Sequence, residues 1–425
     1  MFRPYNYLLL ALLACGLMTN RPAQAQTADS VSTGAGYTQQ VWYNLETGQA
    51  WSANAADWDL AFATSGMGSS IRINGGQGVR LWRYPDGDTA DWATLDTTGM
   101  AENWPELHND PAEWAMPAFS QGKITGDAFD LGWGRYSMVT HHVTGDSLYV
   151  IQDVEGTYGK LWIERLASGT YTFRYEELGS GNSQSFSLAK DDYDDRFHGY
   201  FSLKDSEARD LEPATDEWDV LFTRYITFLP TGPTPTPYSV TGVLLHPDAR
   251  AIEVNNVADP ATEPQPDTAN FLRERNVIGY DWKSFVFQER RYAIEDSLVY
   301  FVEDAEGDVF RFIPTAFGGS ANGMYYFESE KTSTATGQHT WTAGGIDLDV
   351  YPNPVTGGVC YLRGLEEVRE PMRYHLHDLQ GRRLKEGLLN AGAQARIDVH
   401  ELPHGLYLLH VQSGNSTRIA QIQIQ

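Results

Sequence analysis

An all-β fold is predicted for this chain of 425 residues: two tandem antiparallel β modules followed by a small immunoglobulin-like β-sandwich. Three observations predict it. The 40 glycines, 12 tryptophans and 23 tyrosines favour strands and turns over helices. Short runs of Val, Ile, Tyr and Trp alternate in polarity and end at glycine, as half-buried strands do. Long 3.6-residue periodicity is absent apart from a faint pattern over Phe271 to Arg275. Hydrophobic residues at 41% are too abundant for a disordered chain. The net charge of −25 excludes a nucleic-acid binder, which needs clustered Lys and Arg.

Residues 1–25 read as a secretory signal: Arg3, the apolar run Tyr7 to Met18, then Pro22 and Ala23-Gln24-Ala25 before cleavage. A competing reading takes Leu12-Leu13-Ala14-Cys15 as a lipobox, with a lipid on Cys15 and association with the outer-membrane surface. Cleavage after Ala25 leaves Cys360 as the one cysteine, so an intramolecular disulfide is impossible and stability rests on core burial. Cys360 lies in the apolar run Val359 to Leu362 and reads as a small buried hydrophobe.

Residues 26–345 carry 21 basic and 47 acidic side chains, whereas 346–425 carry 8 and 9. Such a shift marks two regions with different surfaces. The acidic part contains an internal echo. Tyr43 to Phe62 and Phe201 to Phe222 both run aromatic-x-Leu to a Trp-Asp pair, Trp58-Asp59 and Trp218-Asp219, 160 residues apart. Gly132-Trp133 with Tyr136 matches Asp281-Trp282 with Phe285. Asp146 to Tyr175 parallels Asp296 to Phe327, each reading as three strands with a turn at Glu155-Gly156 or Glu306-Gly307. This ordering indicates a tandem duplication, with modules over 36–179 and 183–332. A linker, 333–345, and an unrelated end, 346–425, follow. The proline-rich stretches Pro230 to Pro237 and Asp259 to Asp267 cannot be central strands.

The first module's long connection holds Trp82, Trp92, Trp104 and Trp114, with Met100, His108 and Met116 among them. Loops on a β scaffold are common binding elements; the same tryptophans would equally serve to pack the connection onto the sheet.

The sequences Trp58-Asp59-Leu60-Ala61-Phe62, Ser70-Ile71-Arg72-Ile73-Asn74-Gly75-Gly76, Trp218 to Tyr225 and Ile278 to Phe285 resemble the HmuY haemophore family of Bacteroidetes. The likeness spans 36–332. It implies an exported all-β protein, some relatives of which hold haem between two side chains, so haem or a related porphyrin is the expected ligand and cofactor. The donor inventory offers Met138, His141 and His142 on a strand read over Tyr136 to Val143, and Met100, His108 and Met116 in the loop. Met138 and His142 share a face of such a strand but stand about 13 Å apart, too far to bracket one iron. The loop would therefore supply the second ligand. The alternatives are a surface structural or adhesive protein, and a carbohydrate binder using Trp92 and Trp104.

The chain's end contains Asp347 to Tyr351-Pro352-Asn353-Pro354, His377 to Gly381-Arg382, and Leu402-Pro403-His404-Gly405-Leu406-Tyr407. These motifs resemble the type A sorting domain of type IX secretion cargo. The resemblance implies the type IX machinery as a partner, passage to the cell surface or beyond, and removal of the tail on arrival. His375 and His377 share a strand face there, a conceivable metal pair or simply a solvated face. His400-Glu401-Leu402-Pro403-His404 matches a zinc-protease string by letter, but Pro403 opposes the helix that chemistry requires. No nucleophile elbow, phosphate loop or paired-cysteine motif is present. The Asp191 to Asp195 run lacks calcium-loop spacing and reads as a solvated turn. No enzymatic activity and no metal are expected.

Overall fold

The computed structural model describes residues 27–65, 68–85, 87–232, 234–333, 349–351, 355, 358–363, 372–378, 382–389, 395–413 and 416–424. The expected signal peptide with Cys15, the expected linker beyond Ser333, and Pro352, Asn353, Pro354 and Gly381 lie outside the described residues. The regular structure of the described chain is almost entirely strand, with short helices of three to five residues. The stretch Phe271 to Arg275 is no helix: a single 3-10 turn, Thr268–Asn270, precedes it.

In chain order the first strands are β1 (Thr27–Ser32), β2 (Gln39–Tyr43) and β3 (Ala50–Asn54). Next come β4 (Leu60–Ala63), β5 (Ile71–Ile73), β6 (Arg80–Arg83), β7 (Glu106–Leu107), β8 (Gly134–Ser137), β9 (His142–Gly145), β10 (Tyr149–Gln152), β11 (Tyr158–Ala167), β12 (Thr170–Glu177), β13 (Gln184–Ala189), β14 (His198–Ser202) and β15 (Glu207–Arg209). The third group is β16 (Val220–Leu229), β17 (Thr236–Leu245), β18 (Arg250–Asn255), β19 (Lys283–Val286), β20 (Arg291–Ile294), β21 (Leu298–Glu303), β22 (Val309–Phe317) and β23 (Met324–Ser333). The tail holds β24 (Asp349–Tyr351), β25 (Val359–Arg363), β26 (Met372–Asp378), β27 (Arg383–Leu389), β28 (Ala395–Asp398), β29 (Gly405–Ser413) and β30 (Ser416–Ile424).

Two sandwiches form the acidic body. In the first, the sheet β15-β14-β4-β5 faces the larger sheet that contains β13-β12-β11-β10-β6-β7. Leu60, Phe62, Ile71, Phe173 and Phe201 meet in its core. In the second, β17-β16-β2-β3 faces β1-β23-β22-β21-β18, with Val41, Tyr43, Phe222, Tyr300 and Phe327 between them. Strand partners therefore cross the boundary read from the sequence. The N-terminal strands β1–β3 complete the second sandwich, β1 pairing with β23 and β2 with β16. The hairpin β14–β15 completes the first through β4. Each sandwich thus incorporates the hairpin that precedes the other's Trp-Asp strand.

The Trp-Asp carboxylates hold this exchange in place. Asp59 accepts hydrogen bonds from Val154 N at 2.8 Å and from Leu203 N at 2.7 Å, tying β4 to the β10–β11 turn and to the end of β14. Asp219 accepts one from Leu45 N at 2.7 Å, just past β2. Burial outweighs these bonds and raises Asp59 to about 6, Asp219 to about 8 and neighbouring Asp304 to about 7.

The central strands are buried on both faces. Alternation sends Leu60 and Phe62 into the first core while Ala61 points the other way. In β2, Val41 and Tyr43 enter the second core and Trp42 points away. Trp42, Ala61, Tyr200 and Trp218 form one buried cluster, so the two sandwiches stand back to back. Gly76 lies in close approach to the second sandwich, where a Cβ would collide with the Arg224 carbonyl.

The tail folds as a three-stranded sheet, β24-β25-β28, and a four-stranded one, β27-β26-β29-β30. They enclose Leu362, Leu376, Ile397 and Leu409. Cys360 is buried there and its thiol is pushed up to about 11 by that burial.

The carboxylates with raised values bind protons in the folded state that the unfolded chain has already lost, so their contribution to stability declines as pH rises from about 4 to about 8. In urea melts across that range, Asp219→Asn should show a flatter pH dependence than the native chain. Parallel profiles would contradict the placement of Asp219.

Candidate functional site

The cleft between the sandwiches begins with β5. Ile71 and Ile73 face the first core, so Arg72 points toward the second sandwich and is buried. The connection that follows is fixed by Asn109, whose side chain copies a neighbouring strand. Its Nδ2 donates to Ile73 O at 2.7 Å, and its Oδ1 accepts from Ile73 N at 3.3 Å and Ala118 N at 3.0 Å. This carries Trp114 across the seam, where its indole N–H donates to Leu245 O at 3.2 Å. Arg275 N from the second sandwich donates to Ala112 O at 2.8 Å.

Two guanidinium groups stack on that one indole. The Arg72 Cζ lies 4.5 Å from the Trp114 ring centre and the Arg275 Cζ 4.0 Å. Arg72 Nη2 donates to Trp114 O, while its Nε and Nη1 have no hydrogen-bond partner. Arg275 Nε is likewise unpartnered, and among the described residues no carboxylate lies within ion-pair distance of either guanidinium. Burial pushes Arg275 down to about 10, and burial with the charge of Arg275 lowers Arg72 too. Both remain cationic at neutral pH.

The acids that line the cleft have other partners. Glu212 accepts from Phe197 N, His198 N at 2.8 Å and Tyr200 Oη at 2.7 Å. Asp110 accepts from Ala112 N and Glu113 N at 2.8 and 2.9 Å. Trp42, Trp58, Trp218 and Tyr225 supply apolar walls around a cavity of ≈ 70 Å³. Buried His246 is not part of this lining; burial lowers it to about 3, so it stays neutral.

The six expected haem donors are dispersed. Tyr136 to Val143 is not one strand but the hairpin β8–β9, so Met138 and His142 do not share a strand face. His141 occupies the turn at φ 57° with Nδ1 2.9 Å from Tyr136 Oη, and Met138 is 54% exposed. Met100 packs beside Trp82 and Trp104. Met116 closes the loop by its backbone, accepting from Asp110 N at 2.9 Å. Of the six, His108 lines the cleft, its ring centre 5.5 Å from that of Phe228. Trp82 and Trp104 are buried and Trp92 covers Lys160, so these three pack the connection while Trp114 enters the seam.

Asp219, Asp304 and Glu306 place carboxylate oxygens within 4.8 Å of one another, the group among the described residues that could share a cation. Asp219 and Asp304 already accept backbone N–H groups there, from Leu45 and Asp308. The residues Asp191 to Asp195 form an exposed turn around buried Tyr193.

In the tail, residues 400–404 form a turn between β28 and β29, so the zinc-protease string has no helix to stand on. Tyr407 Oη donates to Pro403 O at 2.6 Å and pins that turn ahead of Gly405. His377 packs against His410 with ring centres 4.6 Å apart, and His375 lies 3.5 Å from Glu386.

These strands and turns are those of an export tail, and residues 349–425 match the family of secretion system C-terminal sorting domains. The chain is thus delivered by type IX secretion to the cell surface or the extracellular space. The match lies within the tail and does not extend to residues 36–332. No curated protein matches the chain. Deleting residues 346–425 should retain the protein inside intact cells when probed with antibody. Surface signal from the truncated chain would contradict that role.

Proposed function

We propose that the exported chain is a non-catalytic binding protein whose site is the cleft between the two sandwiches. The observation that carries this reading is the pair of buried guanidinium groups with unpartnered N–H donors lining the cleft's cavity. Leaving such groups unpaired costs several kcal/mol per ion, a cost that a bound ligand would relieve. Both sandwiches contribute walls, so occupancy would also join them more firmly.

A porphyrin draws its support from the resemblance over 36–332 alone. Its expected ligands are spread over a hairpin tip, a small aromatic cluster and the 106–118 loop. The cleft, at ≈ 70 Å³, is far below the several hundred Å³ of drug-sized pockets.

Titration of the purified chain separates the readings. Small metabolites screened by tryptophan fluorescence should include ligands that saturate one site and lose that response in Trp114→Phe. Haem should give no saturable Soret shift. A one-to-one Soret shift abolished by His142→Ala or Met138→Ala would overturn the cleft reading in favour of a haemophore.

A further inference from the structure

We infer that the cleft ligand is a compact organic monocarboxylate, held by Arg72 and Arg275; this rests on the cleft being the binding site. Charge comes first. Arg72, Arg224 and Arg275 line the cavity against Asp110 and Glu212, leaving one net positive charge in a protein whose net charge is −25. The two acids lend charge but no acceptor to Arg72 or Arg275, because their partners are backbone N–H groups, Tyr200 and His198 rather than arginine. Arg224 Nη2 donates to Ser239 Oγ at 3.3 Å, which leaves Arg72 and Arg275 as the guanidinium groups short of acceptors.

Shape comes second. A cavity of ≈ 70 Å³ suits a ligand well below drug size, such as a short-chain acid. Indole and phenol walls from Trp42, Trp58, Trp218 and Tyr225 suit an apolar body behind the carboxylate. They disfavour sulfate or hydrogen phosphate, whose second charge would go unmatched and whose desolvation is more costly. Arginine suits the head group, since its planar N–H donors match carboxylate oxygens.

The test is calorimetric titration of the purified full chain with acetate, propionate and pyruvate, and with acetamide and propionamide as neutral isosteres. Inorganic phosphate and sulfate complete the set. One carboxylate should bind with one-to-one stoichiometry, at least tenfold tighter than its amide. Arg275→Gln should abolish that preference and Arg275→Lys restore part of it. Equal binding of acid and amide would overturn the carboxylate assignment and leave the cleft reading standing. Tighter binding of phosphate or sulfate would overturn the choice of carboxylate. If no compound binds and Arg275→Gln merely destabilises the chain, the arginines are structural and both readings fall. The comparison of acid with amide on the native chain holds even should a variant misfold.

Discussion

The architecture depends on strands that are buried on both faces. In β2, β4, β14 and β16 one set of alternating side chains fills a sandwich core and the other set meets the opposite sandwich. A sheet that would ordinarily present its second face to water instead presents Trp42, Ala61, Tyr200 and Leu221 to a seam. Burying such side chains contributes about 1.5–3 kcal/mol each, which offsets the desolvation of polar groups trapped beside them. Arg72 is one of those groups: on a free sandwich it would be an ordinary solvated strand residue. The cleft is therefore a consequence of the seam.

The exchange of hairpins follows from the same strands. Asp59 and Asp219 stand at the head of β4 and β16 and accept N–H donors from the hairpins that join them. Because β1–β3 finish a sandwich whose other strands begin at Val220, neither sequence module contains all the strands of one sandwich. Such closure pairs residues about 300 positions apart, with Thr27 opposite Ser329. Pairings of this range slow folding. With Cys360 buried in the tail, no disulfide supports the body, and the two cores carry its stability.

Much of the fold was legible in the sequence. Alternation, glycine-bounded runs and the missing helical period pointed to strands throughout, and the paired Trp-Asp motifs occupy matching places just before β4 and β16. Which strands pair was not legible, since a strand's pattern encodes the faces it buries and not its neighbour's identity. The hairpin at Met138 to His141 was missed for a local reason. Its turn places His141 at positive φ, where Gly or Asn is the usual signal. Arg72 was visible within a motif but carried no mark of function. A charge alternating with Ile71 and Ile73 reads as solvent-facing, and only the second sandwich makes it buried. Trp114 looked like its three loop companions for the same reason: its distinguishing partners, Leu245 and Arg275, come from the other end of the body.

The most direct test of the account is a crystal structure of the purified chain grown in acetate-containing buffer. The account predicts β1–β3 completing the second sandwich and planar acetate density contacting both Arg72 and Arg275 beside Trp114. Arginines turned to pair with Asp110 and Glu212, or a cleft closed over water alone, would contradict it.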